Sequence, residues 1–123
     1  MKILIADDDA HILRAIQFLF AKRGHGIYVA EDGETALRLA RFEQPDLIFL
    51  DMNMPRKSGL EVCEAIRADA SLRERPIYIL TGQDPSLDAA NYETSPDVTA
   101  YLIKPIAPRD LLDILELYQT KLH

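Results

Sequence analysis

Short apolar runs recur along the chain, and each stops at a polar residue. Ile3-Leu4-Ile5-Ala6 (β1) runs into Asp7-Asp8-Asp9, and Ile27 to Ala30 (β2) into Glu31-Asp32. Leu47-Ile48-Phe49-Leu50 (β3) runs into Asp51, Ile77-Tyr78-Ile79-Leu80 (β4) into Thr81, and Tyr101-Leu102-Ile103 (β5) into Lys104. Successive side chains of a strand point to opposite sides of a sheet, so the uninterrupted run Ile3 to Ala6, ending abruptly in acids, fits a strand that is buried on both faces. Such strands belong to parallel sheets covered by helices.

The intervening segments carry helical periodicity. From Ala10 to Arg23 (α1), Ile12, Ile16, Leu19 and Phe20 recur at helical spacing, and Gly24 stands where a helix would terminate. A second helix (α2) follows Gly33, with Ala36, Leu37 and Ala40 on one face and Pro45 closing it. Ser58 with Glu61 forms a capping box at the head of α3, which reaches about Asp69 and has Leu60, Val62, Cys63 and Ile66 on its apolar side. Asp84-Pro85 predicts the start of a short α4 that ends before Pro96, and Pro108 to Lys121 forms α5, with Leu111, Leu115, Tyr118 and Leu122 on one stripe. Five strands alternating with five helices imply right-handed crossovers and a doubly wound α/β fold, with helices on both faces of one parallel sheet. With 48% hydrophobic residues, the 123 residues suffice for one domain, 1–123.

The charge balance narrows the function. Twenty acids against fourteen bases give a net charge of -6, which works against direct nucleic-acid binding. No apolar stretch approaches the length of a membrane span, and the N-terminal MKILIADDDA turns acidic too early for a secretory signal, so a cytoplasmic chain without membrane contact is expected. The single cysteine, Cys63, has no internal disulfide partner and lies in an apolar-periodic segment, as a packed thiol does.

The polar residues that end the runs all lie at carboxyl ends of strands. In a parallel sheet those ends share one edge, and ligands of open α/β folds bind there, where the strand order reverses. If β1 and β3 are neighbours, Asp7, Asp8 and Asp51 converge. Two unit charges about 4 Å apart repel by roughly 4 kcal/mol at an effective dielectric near 20, so a proton or a hard divalent cation must compensate them. An open acidic edge favours Mg²⁺, which accepts a few carboxylates and leaves positions for water and phosphate oxygens. Zn²⁺ would call for closely spaced His or Cys, which His11, His25 and His123 do not supply.

A carboxylate beside a metal ion, a hydroxyl and a lysine is suited to attack phosphorus. Asp51, placed directly after an apolar strand, is the candidate nucleophile and phosphoacceptor, and the backbone carbonyl of Asn53 is a candidate metal ligand beside Asp7, Asp8 and Asp51. Thr81 can donate to one phosphoryl oxygen and Lys104 can pair with another. Both contacts exist only when the phosphoryl group is present, so they can draw the ends of β4 and β5 inward.

These motifs, ILIADDD, LIFLDMNMP, ILTG and YLIKP, resemble those of the receiver domains of two-component response regulators, over essentially the whole chain. The resemblance implies a flavodoxin-like (βα)5 fold with strand order 2-1-3-4-5, and phosphoryl transfer to Asp51 from a sensor histidine kinase or phosphotransfer protein. It also implies Mg²⁺ dependence, slow self-dephosphorylation rather than turnover of an external substrate, and a cis Lys104-Pro105 peptide. Tyr101 corresponds to the switch aromatic that turns inward as Thr81 moves, and Asn53 and Gln83 to positions that tune the phosphoryl lifetime. The output expected is a changed α4-β5-α5 surface that a downstream protein effector reads, from a monomer or a phosphorylation-dependent dimer. Two departures stand out: Ser95-Pro96-Asp97-Val98-Thr99-Ala100 replaces a Gly-Ala-Asp-like turn, and Ile106 follows Pro105 where Phe is usual.

Blander readings apply to some of these residues. Asp9 suits a helix start, Glu31 and Asp32 a solvated turn, and His11 the surface. Two rival functions are a receiver that binds partners without phosphorylation, and a phosphatase of the haloacid-dehalogenase type with Asp7 as nucleophile, which leaves Asp51 idle.

Overall fold

The computed structural model of the chain describes residues 1–82 and 97–122. Its five strands, β1 (Lys2–Ala6), β2 (Gly26–Ala30), β3 (Leu47–Asp51), β4 (Ile77–Thr81) and β5 (Ala100–Ile103), form one sheet in the order β2-β1-β3-β4-β5, with each neighbouring pair parallel. The helices are α1 (Ala10–Ala21), α2 (Gly33–Glu43), α3 (Gly59–Ala68) and α5 (Pro108–Leu122). The expected α4, together with Gln83, lies outside the described residues.

Alternation along the three central strands explains why the runs of β1, β3 and β4 are apolar throughout, whereas the edge strands β2 and β5 stay partly exposed. Ile3, Ile5, Leu47, Phe49, Tyr78 and Leu80 pack with Leu13, Ile16 and Phe20 of α1 and Leu111 and Leu115 of α5. Leu4, Ala6, Ile48, Leu50, Ile77 and Ile79 point the other way, against α2 and α3. Phe20, Phe49 and Tyr78 line up with ring centroids 5.6 and 5.5 Å apart, and Tyr118 meets Tyr78 edge-on at 6.1 Å. Each such pair contributes about 0.5–1.5 kcal/mol beyond its buried area. The Tyr78 and Tyr118 hydroxyls hydrogen-bond at 2.9 Å, so the phenol of a mostly buried ring keeps a polar partner.

Local signals set the helix ends. Ser58 accepts from Glu61 N and Glu61 accepts from Ser58 N, which completes the capping box. Gly24, at φ 82°, follows the end of α1, and Gln44, at φ 53°, is the left-handed cap of α2. Asp32 is more than a solvated turn residue: it accepts from Thr35 N at 2.8 Å and caps α2, and these hydrogen bonds lower its pKa. Arg67 of α3 donates to the carbonyls of Arg73, Arg75 and Asp97, while Thr99 N donates to Ile77 O and Ile77 N to Thr99 Oγ1. The atypical 97–100 stretch is therefore tied to both α3 and β4.

Gly59 opens α3 directly beneath the end of β3. A Cβ there would run into the Asp51 carbonyl oxygen and crowd the Met52 Cα at 3.3 Å, both backbone atoms that cannot swing away. Gly→Ala normally stabilises a helix by up to about 1 kcal/mol. Here Gly59→Ala is expected to destabilise the domain by roughly 1–3 kcal/mol, as overpacking does, measured by urea unfolding.

Candidate functional site

The backbone places the side chains before any side-chain contact is considered. β1 and β3 pair from Ile3–Leu47 to Ala6–Leu50, so Asp7 and Asp51 follow side by side. Asp7 N continues the β1–β2 ladder by donating to Ala30 O at 3.0 Å, Met52 N donates to Leu80 O at 2.8 Å, and Lys104 N donates to Thr81 O at 2.7 Å. Each strand end is thereby held by its neighbour up to the residue that carries the polar group.

At this edge Asp7 is fully buried, Asp51 and Thr81 are almost so, and Asp8 is exposed. Carboxylate oxygens of Asp7, Asp8 and Asp51 lie within 4.8 Å of one another. Lys104 Nζ stands between two of these acids, 2.9 Å from Asp7 Oδ2 and 3.0 Å from Asp51 Oδ1. The contact to Asp51 is an aligned hydrogen bond, whereas Asp7 Oδ2 receives the ammonium as an ion pair without hydrogen-bond alignment. Asp7 Oδ1 accepts from Asp9 N at 2.9 Å.

The residues named from the sequence divide clearly. Asp7, Asp8, Asp51, Thr81 and Lys104 gather at one edge, and Lys104-Pro105 is cis. Asn53 lies exposed in the loop two residues beyond Asp51, and Tyr101 is partly buried against the α2/α3 core. Asp9 caps α1 by accepting from His11 N at 2.9 Å, and His11 is exposed. Two further residues carry no such sequence signal: Gly59, which packs against the end of β3 at this edge, and Arg67, which ties the chain before β4 and β5 at the opposite edge. Gly59 acts through the Cβ it lacks, and Arg67 through carbonyl acceptors that every residue possesses.

The donor set suits a hard cation. It consists of carboxylates alone, whose oxygens come within 4.8 Å of one another, with an exposed rim at Asp8 where waters can complete a coordination shell.

Comparison with known proteins agrees with this geometry. The response regulator receiver domain family matches residues 3–116. The chain belongs to the response regulator receiver domain family.

Among its relatives is the alkaline phosphatase synthesis transcriptional regulatory protein PhoP of Bacillus subtilis, 37% identical over 111 residues that make up 89% of this chain. The chain spans 45% of that protein's length. The chemotaxis response regulator CheY4 of Vibrio cholerae superposes with a TM-score of 0.84 at 30% identity, over 95% of this chain and 97% of that one. The receiver domain of the Pseudomonas aeruginosa sensor histidine kinase PA1611, whose structure has a magnesium ion coordinated in its active-site cleft, superposes with a TM-score of 0.82 at 26% identity, over 95% of each chain. Receiver domains are signalling switches of two-component systems, generally not enzymes. Among the described residues, no helix is long and apolar enough to cross a membrane.

Charge at the receiver's edge is balanced only in part. Burial raises the Asp51 carboxyl to about 6, with Lys104 opposing the rise and Asp7 and Asp8 adding to it. Burial alone would lower the Lys104 ammonium, but its contacts with Asp7 and Asp51 reverse this and hold it above its ordinary value. An unfolded Asp titrates near 4, so between pH ~4 and ~6 the folded state binds a proton that the unfolded state does not. Stability from this source is full below pH ~4 and is lost as pH rises through about 6. In EDTA, the parent chain is expected to lose about 2 kcal/mol relative to Asp51→Asn between pH ~4 and ~7, read from paired urea unfolding curves.

Proposed function

We propose that Asp51 is the phosphoacceptor of this receiver, and that residues 1–123 act as one phosphorylation-controlled switch. The observation that carries the reading is the convergence of Asp7, Asp8 and Asp51 within 4.8 Å, with the Lys104 ammonium touching two of them. The donor is a phosphohistidine of a sensor histidine kinase or phosphotransfer protein. An Asp51 carboxylate oxygen forms the new O–P bond while the N–P bond breaks, its electron pair passing to the departing imidazole.

Mg²⁺ held by Asp7, Asp8, Asp51 and the Asn53 carbonyl would offset charge on the transferring phosphoryl group. The acidic set supports this assignment, as does the magnesium in the related PA1611 receiver domain. Lys104 then shifts its bond from the Asp51 carboxylate to a phosphoryl oxygen, and the Thr81 hydroxyl donates to another. Thr81 and Lys104 sit at the ends of adjacent strands, so these contacts pull on β4 and β5 together. Tyr101 of β5, paired in register with Ile79 of β4, follows that movement inward and changes the α4-β5-α5 surface.

The state then decays by slow self-dephosphorylation, with Asn53 and Gln83 tuning its lifetime. The circuit is cytoplasmic, and its output is a downstream protein effector rather than nucleic acid bound directly. Asp7 is poorly placed to be the nucleophile of a phosphatase, because one of its oxygens accepts from Asp9 N and the other meets Lys104.

Incubation with acetyl phosphate and Mg²⁺ is expected to add one phosphoryl group, about 80 Da by intact mass, and Asp51→Asn to abolish the adduct while remaining folded. An adduct that persists in Asp51→Asn would overturn the assignment. Asp8→Asn is expected to weaken Mg²⁺ at least tenfold in a fluorescence or calorimetric titration, through the loss of one anionic ligand. Unchanged affinity would remove Asp8 from the metal site.

A further inference from the structure

The outer face of α2 carries the most exposed of the large hydrophobic side chains described: Phe42 is 82% exposed. Arg38 and Glu34 precede it on the same helical stripe, four and eight residues back. With Leu37, Arg41 and Lys57 they line an open groove of about 580 Å³ between α2 and the loop that joins β3 to α3. The loop side of the groove is held in place: Gly33 N donates to Pro55 O at 3.2 Å and Lys57 N to the same oxygen at 2.8 Å.

The charge here opposes that of the rest of the molecule. Among the described residues neither Arg38 nor Lys57 forms an ion pair, and Arg41 reaches Asp69 only at 3.8 Å with its side chain 56% exposed. Glu34 is 3.7 Å from Arg56 across solvent. Such surface pairs hold little and release easily. A chain of net charge -6 thus presents three cations, Arg38, Arg41 and Lys57, around an exposed aromatic ring, and aromatic residues and Arg are enriched at protein interfaces.

We infer that this groove is a docking surface for a partner-protein segment that inserts an apolar side chain beside Phe42 and flanks it with Asp or Glu for Arg38, Arg41 and Lys57. A long polyanion fits less well, because the overall negative charge repels it and three cations release few counterions. A second copy could bring the acidic face of α5, with Asp113, Glu116 and the 49% exposed Leu117. That contact would join unlike faces and propagate instead of closing.

The test is to pan a random twelve-residue peptide display library on the 123-residue chain, counter-selecting on the Phe42→Ala chain. The enriched peptides are expected to combine a large apolar residue with two or more acids. Synthetic copies should bind about tenfold more weakly to Phe42→Ala and to Arg38→Glu, and more weakly as salt rises, with both variants melting as the parent does. Recovery of no Phe42-dependent peptide, or only of basic or uncharged ones, overturns the inference. So does Phe42-dependent self-association in sedimentation, or Phe42-dependent binding to polyuridylate or phosphatidylserine vesicles in place of acidic peptides.

Discussion

The Lys104 ammonium stands between two carboxylates that the sheet forces together. Parallel pairing of β1 and β3 brings Asp7 and Asp51 to the same edge, and burial denies them the water that would screen their repulsion. Their counter-charge comes from β5, across the intervening β4, so the balance depends on β1, β3, β4 and β5 keeping one register. Breaking that register would leave buried charge unpaired, which costs more than the pair itself contributes. The placement of these acids is therefore tied to the register of the sheet.

Much of this was legible in the sequence because burial on both faces leaves a strong trace. A strand such as Leu47–Asp51 must be apolar at every position until it leaves the core, so the first polar residue marks both the strand's end and the ligand edge. The capping box at Ser58 and the stop at Gly24 were visible for a similar reason, since few residue types meet those backbone demands. Asp32 was harder to read. Its placement after a strand suggested a turn, and only the fold shows its carboxylate on Thr35 at the head of α2. The clamp formed by Arg67 had no signal at all, because its acceptors are three main-chain carbonyls. The reach of Lys104 to Asp7 as well as Asp51 also depended on coordinates, since spacing along the chain says nothing of which acid a flexible side chain will touch.

Main-chain hydrogen bonds run to both edges of the sheet, and the edges differ in the side-chain contacts added to them. At the amino edge, Lys2 N donates to Asp46 Oδ2 and Asp46 N to Lys2 O, both at 2.8 Å, while Ile48 N donates to Pro76 O at 3.1 Å. Arg67 and Thr99 fasten the entry to β5 in the same region. Each of these contacts has a main-chain group as at least one partner. At the carboxyl edge, side-chain charges are added to the main-chain bonds at the tips of β1, β3 and β5, and an ammonium that bridges carboxylates can exchange one of them for another anion placed within reach. Change at this edge can therefore be absorbed while the amino edge stays fixed. Exchanging a side-chain partner costs less than breaking a strand ladder, so a response of this sheet to a bound anion would begin beside its acids.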